Sequence, residues 1–398
     1  MKPLLLSAYT ATTCLGRGLK ENRSALREGR SGLKPCDFES VQLQTWIGEV
    51  SGVDDQVLPV HLARFDCRNN RLTQMGLETD GFADAVRDAA LRYGADRVGV
   101  FLGTSTSGIL QAELAYRQRA SETGALPDAF DYQSTQNSFS LAEFTRIYLG
   151  LEGMAMAVST ACSSSAKVFA AAARQLALGT IDAAVVGGVD TLCLTTLHGF
   201  ESLQLTSPSP CKPYDAMRDG ISIGEGAAFA LLERVTSSVL APGSVLLVGV
   251  GESSDAHHMS APHPEGLGAR LAMQAALKSA NLSVDDVGYI NLHGTSTPAN
   301  DAAEGQAVMA LFGDRVPCSS TKGATGHTLG AAGALEAVFC AIALTDAHLP
   351  GSPGTEQLDP TTPLQYLMQS RAEGIRYALS NSFGFGGSNC SLILGASA

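Results

Sequence analysis

Short apolar runs alternate with alanine-rich stretches along most of this chain. Val98–Leu102, Met154–Val158, Ala183–Val186, Val245–Val250, Val287–Leu292 and Cys390–Leu394 read as strands. Most are nearly continuous in apolarity rather than alternating, the pattern of strands covered on both faces. Segments 81–93, 166–178, 268–280 and 330–345 have the alanine and leucine content of helices. The pattern predicts an α/β protein in which helices cover the sheets.

An internal echo sharpens this. Ala89-Ala90-Leu91 leads through Asp96 and Val98-Gly99 into Gly103-Thr104-Ser105-Thr106. Ala275-Ala276-Leu277 leads through Asp286 and Val287-Gly288 into Gly294-Thr295-Ser296-Thr297. Helix, connection, strand and Gly-Thr-Ser-Thr turn recur in one order, which predicts a duplicated half with its joint near Pro242-Gly243. The halves would be residues 1–243 and 244–398, and a site between them would draw residues from both.

Composition narrows the function classes. Of 398 residues, 45% are hydrophobic and 17% charged, enough apolar material for a large core. The net charge of -12 argues against nucleic acid as a bulk partner, since a phosphate backbone needs a basic face. Nine cysteines without a C-x-x-C pair speak against a disulfide framework or zinc knuckle and fit a reducing compartment. The Leu4-Leu5-Leu6 run is too short for a signal peptide, and no stretch is expected to reach the ~20 apolar residues of a membrane span. A soluble, cytoplasmic protein is expected.

Cys162 is the first candidate for chemistry. It lies in Val158-Ser159-Thr160-Ala161-Cys162-Ser163-Ser164-Ser165, between an expected strand and an expected helix. A thiol near a helix N-terminus meets free N–H groups that favour thiolate, although a free cysteine is more often a small buried hydrophobe. Two histidines shift the balance. His293 opens His293-Gly294-Thr295-Ser296-Thr297-Pro298, and His327 lies in Lys322-Gly323-Ala324-Thr325-Gly326-His327-Thr328-Leu329-Gly330. Both stand among small residues that allow an extended ligand to approach. His257, His258 and His263 cluster too, but no acidic or cysteine ligand set at metal spacing accompanies them, which favours a loop over a zinc site.

The segments around Cys162, His293 and His327 resemble the signature blocks of the elongating β-ketoacyl-acyl-carrier-protein synthases. Pro213-Tyr214-Asp215, Arg218-Asp219-Gly220, Gly224-Glu225-Gly226 and Asn381-Ser382-Phe383-Gly384-Phe385-Gly386-Gly387-Ser388-Asn389 follow in that family's order. The resemblance implies the thiolase fold, two similar βαβαβαββ halves in a five-layer αβαβα sandwich. It implies a decarboxylative condensation of a Cys-bound acyl group with malonyl-acyl-carrier protein, in fatty acid, polyketide or polyene synthesis. Cys162 would carry the acyl group, and His293 and His327 would bind the malonyl thioester carbonyl. Lys322 and Glu336 would orient the histidines, and Thr295 and Thr297 would hold the phosphopantetheine arm. Phe383 and Phe385 would contact substrate, with the N–H groups of Cys162 and Phe385 forming an oxyanion hole and Phe385 gating the acyl pocket. No metal or organic cofactor is implied. The implied partners are acyl carrier protein and a second subunit, either identical or a related chain-length partner.

Some positions depart from the family pattern. Tyr214 stands where many relatives have Phe, and Ser388 where many have Thr. Segment 109–150, which shapes the acyl pocket in relatives, matches least. A thiolase is disfavoured because Gly386-Gly387 precede Cys390 rather than follow it. A starter-unit synthase is disfavoured by the second histidine, and a non-catalytic chain-length subunit by the intact Cys162. Arg64, Arg68 and Arg71 would share one face of a helix at i, i+4 and i+7, and are expected to dock the acidic carrier protein.

Overall fold

The computed structural model describes residues 1–235 and 240–397. Ten principal strands form two sets of five. The first comprises β1 (Leu4–Thr13), β2 (Val98–Gly103), β3 (Ala155–Val158), β4 (Ala183–Asp190) and β5 (Gly226–Arg234). The second comprises β6 (Val245–Ser254), β7 (Tyr289–Asn291), β8 (Cys318–Ser319), β9 (Tyr377–Gly384) and β10 (Ser388–Ala396). Across the first sheet the order is β3-β2-β4-β5-β1, and across the second β8-β7-β9-β10-β6. Numbered within its own set, each sheet therefore has the same order. The senses match too: β2 is parallel to β3 and β4, and β5 antiparallel to β4 and β1. In the second sheet β7 is parallel to β8 and β9, and β10 antiparallel to β9 and β6. Identical order and sense in two sheets is the structural form of the repeated sequence pattern. The sheets meet at one corner, where Leu4 and Leu5 of β1 pair with Leu247 and Leu246 of β6.

Seven helices matter for the layering: α1 (Arg68–Leu77), α2 (Phe82–Tyr93), α3 (Phe139–Tyr148), α4 (Ser164–Leu178), α5 (Leu267–Ala280), α6 (Pro298–Phe312) and α7 (Ala332–Asp346). Helices α4 and α7 pack on each other between the sheets, and their buried faces share one core with strands of both. A second core joins α1, α2 and α3 to the outer face of the first sheet, and a third joins α5 and α6 to that of the second. The result is the five-layer αβαβα sandwich. The expected elements recur with small shifts at their ends: Val287–Leu292 contracts to the three-residue strand Tyr289–Asn291, while Ala183–Val186 extends to Asp190 and Val245–Val250 to Ser254.

The central layer corrects one expectation. The run Leu329–Asp346 is apolar and long enough by composition to cross a membrane, and 89% of it is buried. It is apolar because helix α7 touches protein on all sides.

The arginine cluster is corrected as well. Arg64 sits in the 3-10 turn Val60–Phe65, separated by Asp66 and Cys67 from helix α1, which begins at Arg68. The three arginines therefore share no helix face. Arg68 is only 6% exposed; it donates to Glu225 at 2.9 and 2.6 Å and to both oxygens of Asp54 at 2.7 Å. Glu225, fully buried, also accepts the N–H groups of Val50 and Leu192. A buried carboxylate needs a counter-charge, and Arg68 supplies it. Arg71 is held by Asp66 at 2.6 Å. Arg64 is exposed, carries no ion pair among the described residues and lies over the Phe65 ring at 4.8 Å.

Candidate active site

Cys162 lies on the tight turn between β3 and α4. Its predecessor Ala161 has φ 51, in the left-handed region that favours glycine, and the Ser164 hydroxyl closes the turn by donating to the Ala161 carbonyl at 2.6 Å. The turn aims the thiol away from the helix and into a cavity of about 240 Å³. The expectation of a ready thiolate needs correction. Burial pushes the Cys162 thiol up to about 11, while Lys322 and the Phe385 N–H pull it down. Desolvation thus works against the ionised form that a helix start favours.

His327 comes from the segment between β8 and α7. Its backbone pairs with Ser222 and Gly224 of the N-terminal half, at 2.7 and 3.0 Å. Its Nε2 lies 3.0 Å from Cys162 Sγ, and its Nδ1 accepts the Leu329 N–H at 3.2 Å. His293 follows β7, with its ring 5.3 Å from that of His327 and nearly perpendicular to it. The Lys322 ammonium approaches His293 Nδ1 at 3.4 Å, donates to the His293 carbonyl at 2.5 Å and pairs with Glu336. Burial holds both imidazoles well below the usual histidine range, and Lys322 adds to this. Both rings are thus neutral at pH 7. A backbone N–H or an ammonium can only donate, so each Nδ1 is an acceptor and each ring proton sits on Nε2. Two N–H donors therefore face the thiol side of the cavity.

The same argument bears on metal. Among the described residues, Cys162, His293 and His327 form the one group of such side chains with ligand atoms within 4.8 Å of one another. A metal-ligating imidazole normally donates its second N–H to an acceptor. Here both second nitrogens face donors, which keeps the protons on the nitrogens a metal would need. The donor set suits an anionic oxygen rather than a cation. His257 and His258 are exposed in the loop after β6, and His258 and His263 accept local N–H groups of Ser260 and Glu265.

The remaining expected residues fall around the cavity. Thr295 and Thr297 line it with their hydroxyls 2.9 Å apart. Phe383 lines it with its ring edge-on to His293 at 6.0 Å. Phe385 is half-buried against Phe200, ring centroids 5.8 Å apart, and a Cβ on its neighbour Gly384 would lie 3.2 Å from Cys162 N. The backbone of 384–385 thus runs directly over the Cys162 turn. Arg64, Arg68 and Arg71 do not line this cavity.

Three features escaped the sequence reading. Phe200 reaches the cavity from helix Leu194–Ser202, with nothing local to mark it. Asp190 accepts from Thr104 and from the N–H groups of Ser105, Thr106 and Gly330, tying the first Gly-Thr-Ser-Thr turn to the His327 segment. Glu304 accepts the N–H groups of His293 and Gly294, both at 2.8 Å, and Asn381 at 3.1 Å. Two acids, Asp301 and Glu304, one turn apart in the otherwise uncharged helix Pro298–Phe312 were the available signal for Glu304.

The models of the β-ketoacyl synthase N-terminal and C-terminal domains match residues 2–238 and 245–356. The 3-oxoacyl-[acyl-carrier-protein] synthase 2 of Vibrio cholerae is 32% identical over 400 residues, 95% of each chain. A chain of the ketosynthase–chain length factor complex from Xenorhabdus doucetiae is 38% identical, with TM-score 0.90 over 100% of this chain and 98% of that one. A β-ketoacyl synthase from Burkholderia phymatum is 30% identical, with TM-score 0.87 over the whole of both chains. A thiol set against two neutral imidazole donors in a duplicated sandwich, with family matches across both halves, leads to one conclusion: the chain belongs to the β-ketoacyl synthase family, the condensing acyltransferases of fatty acid and polyketide synthesis.

Proposed function

We propose that Cys162 is the nucleophile and that His293 and His327 stabilise the enolate formed by decarboxylation. The observation that carries this is the 3.0 Å approach of His327 Nε2 to Cys162 Sγ, with donors facing Nδ1 of both histidines. Cys162 attacks an acyl-carrier-protein thioester; the acyl–sulfur bond to the carrier breaks, and the carrier thiol leaves with the proton. Malonyl-carrier protein then places its thioester oxygen against the two Nε2–H groups. Carbon dioxide departs, and the electron pair it leaves is held as an enolate by two donors already aimed at that oxygen; losing one such donor typically costs ~10²–10³ in rate. The enolate carbon attacks the acyl group on Cys162, the Cys–acyl bond breaks, and the thiol is reprotonated. N–H groups of Cys162 and Phe385 hold the oxyanion of both tetrahedral intermediates.

Lys322 and Glu336 hold the histidine side of the site, and Thr295 and Thr297 receive the phosphopantetheine arm. Phe383 shapes the cavity, and Phe385, next to exposed Gly386, gates it. The unit carrying the nucleophile is residues 1–243 and the unit carrying the histidines is 244–398. The chemistry uses no metal or organic cofactor. Nine unpaired cysteines support a cytoplasmic location.

The test is intact mass after incubation with a panel of acyl-carrier thioesters. The wild type should gain one acyl group, and Cys162→Ala none. Cys162→Gln should release carbon dioxide from malonyl-carrier protein without condensing, since its amide mimics an acylated cysteine. Acyl mass gained by Cys162→Ala at another residue overturns the assignment. The 38% identical chain from a ketosynthase–chain length factor complex supports a second reading, a catalytic subunit that works beside a related partner rather than its own copy. A stable, active homodimer on size exclusion of the chain expressed alone would refute it.

A further inference from the structure

Tyr214 lies in the Pro-Tyr-Asp block of the N-terminal half, yet its side chain ends inside the C-terminal half. It is fully buried, and its ring packs close to Gly294, where an added Cβ would come within 3.3 Å of it, and 5.1 Å from the Tyr366 ring. Its hydroxyl donates to Glu304 Oε2 at 3.1 Å, and its N–H to Asp301 Oδ2 at 2.8 Å. Glu304 thereby receives four donors: Tyr214, Asn381 and the amides of His293 and Gly294.

The geometry points to Tyr214 as a positioning residue that keeps Glu304 ionised, so that Glu304 can hold the His293–Gly294 turn and aim the His293 Nε2–H at the substrate carbonyl. A carboxylate can accept all four bonds at once. A protonated carboxyl must use one oxygen as a donor, and here that oxygen faces amide donors and a Tyr214 hydroxyl that would have to give up its own donation to accept. The amides of the His293 turn would then lose part of their anchor.

The surrounding charges define how the pair responds to pH. Burial pushes Glu304 up to about 7, helped by Asp301 one turn earlier on the same helix, whose own charge faces Arg218 at 3.6 Å. Beyond His293 stands the Lys322–Glu336 pair, where burial likewise pushes Glu336 up to about 7. The Cys318 thiol, nearby, is held neutral by burial. As pH falls through 7, both glutamates gain protons and decarboxylation should decline. Only Glu304 is bonded to Tyr214, so Tyr214→Phe changes one of the two.

The sign follows. Tyr214→Phe removes a donor that favours the ionised form, so Glu304 protonates at higher pH. The acid limb of kcat for decarboxylation of malonyl-carrier protein should move upward by roughly one pH unit, as expected for a lost bond to a buried carboxylate. KM should be unchanged, and kcat above the limb within about threefold of wild type. Tyr366→Phe is the control: Tyr366 bonds Ser352 and Pro213, not Glu304, so its limb should stay put. An unmoved limb in folded Tyr214→Phe, or an equal shift in Tyr366→Phe, overturns the inference. Infrared difference spectra of the wild type against Glu304→Gln provide a readout independent of turnover. A buried carboxyl stretch belonging to Glu304 should appear as pH falls through the limb, and its absence also overturns the inference. This rests on the catalytic reading of His293; failure of the wild type to decarboxylate refutes that reading, whereas decarboxylation with an unmoved limb refutes only the role of Tyr214.

Discussion

At the scale of single residues, the site sets burial against charge. Cys162 is 7% exposed, and burial raises its thiol to about 11 despite the helix start and Lys322. A raised thiol means the thiolate fraction is small at neutral pH and grows about tenfold per pH unit until the thiol titrates. Alkylation of Cys162 by iodoacetamide should therefore rise about tenfold per unit between pH 7 and 9. Lys322 is the largest influence opposing burial, so Lys322→Ala should slow alkylation at every pH in that window. Mass spectrometry of the modified peptide reads both effects. A rate flat with pH would mean that the thiolate already exists, and the helix end would then outweigh desolvation.

At the scale of elements, the turn that carries Cys162 depends on backbones that touch. Strand β2 ends at Gly103, where an added Cβ would lie 2.4 Å from Ser165 N and 2.6 Å from Ser164 C. No flexible side chain can yield there, because both contacts are backbone at the start of α4. Gly103→Ala should push the helix start and Cys162 with it, costing about 1–3 kcal/mol by overpacking and slowing acylation at least tenfold. Gly199, inside helix Leu194–Ser202, has nothing within 4 Å of an added Cβ. Gly199→Ala should gain about 0.5–1 kcal/mol from helix propensity. Thermal unfolding and intact-mass acylation rates of the two variants check the contrast, and equal Tm values would refute it.

At the scale of the whole molecule, the net charge of -12 bears on how an acidic carrier protein reaches the cavity. Overall repulsion slows encounter unless a local basic group offsets it. Of the three arginines expected to dock the carrier, Arg64 alone is exposed without an ion pair among the described residues. Arg64→Glu should raise the KM for carrier protein severalfold, with a penalty that shrinks as salt is added, and should leave turnover of a small acyl-pantetheine mimic unchanged. Arg68→Glu should behave differently, because it places a fourth acid beside Glu225, Asp54 and Glu49. It should lower Tm and reduce activity with both substrates, as breaking a buried pair does. Steady-state kinetics at two salt concentrations with thermal unfolding separate the cases. A matching penalty on both substrates for Arg64→Glu would remove it from docking.

Much of this protein was legible in its sequence. Doubly covered strands are mostly apolar, so β2 and the central residues of β4 and β10 stand out by composition alone. Duplication leaves a local trace, so Ala89–Thr106 and Ala275–Thr297 announced two halves before any contact was known. Reactive groups need small neighbours, so Cys162, His293 and His327 could be found in their own loops. What the sequence could not supply was environment. Whether an arginine meets solvent or a buried Glu225 depends on a residue 157 positions away. Whether a thiol is ionised depends on how much protein closes over it, which no local pattern encodes. The anchor of His293 joins Tyr214, Glu304 and Asn381 from three segments, and only folding places their polar atoms within hydrogen-bond reach. Local pattern decides which elements form, whereas desolvation and charge pairing belong to the tertiary structure, because both are sums over neighbours distant in the chain.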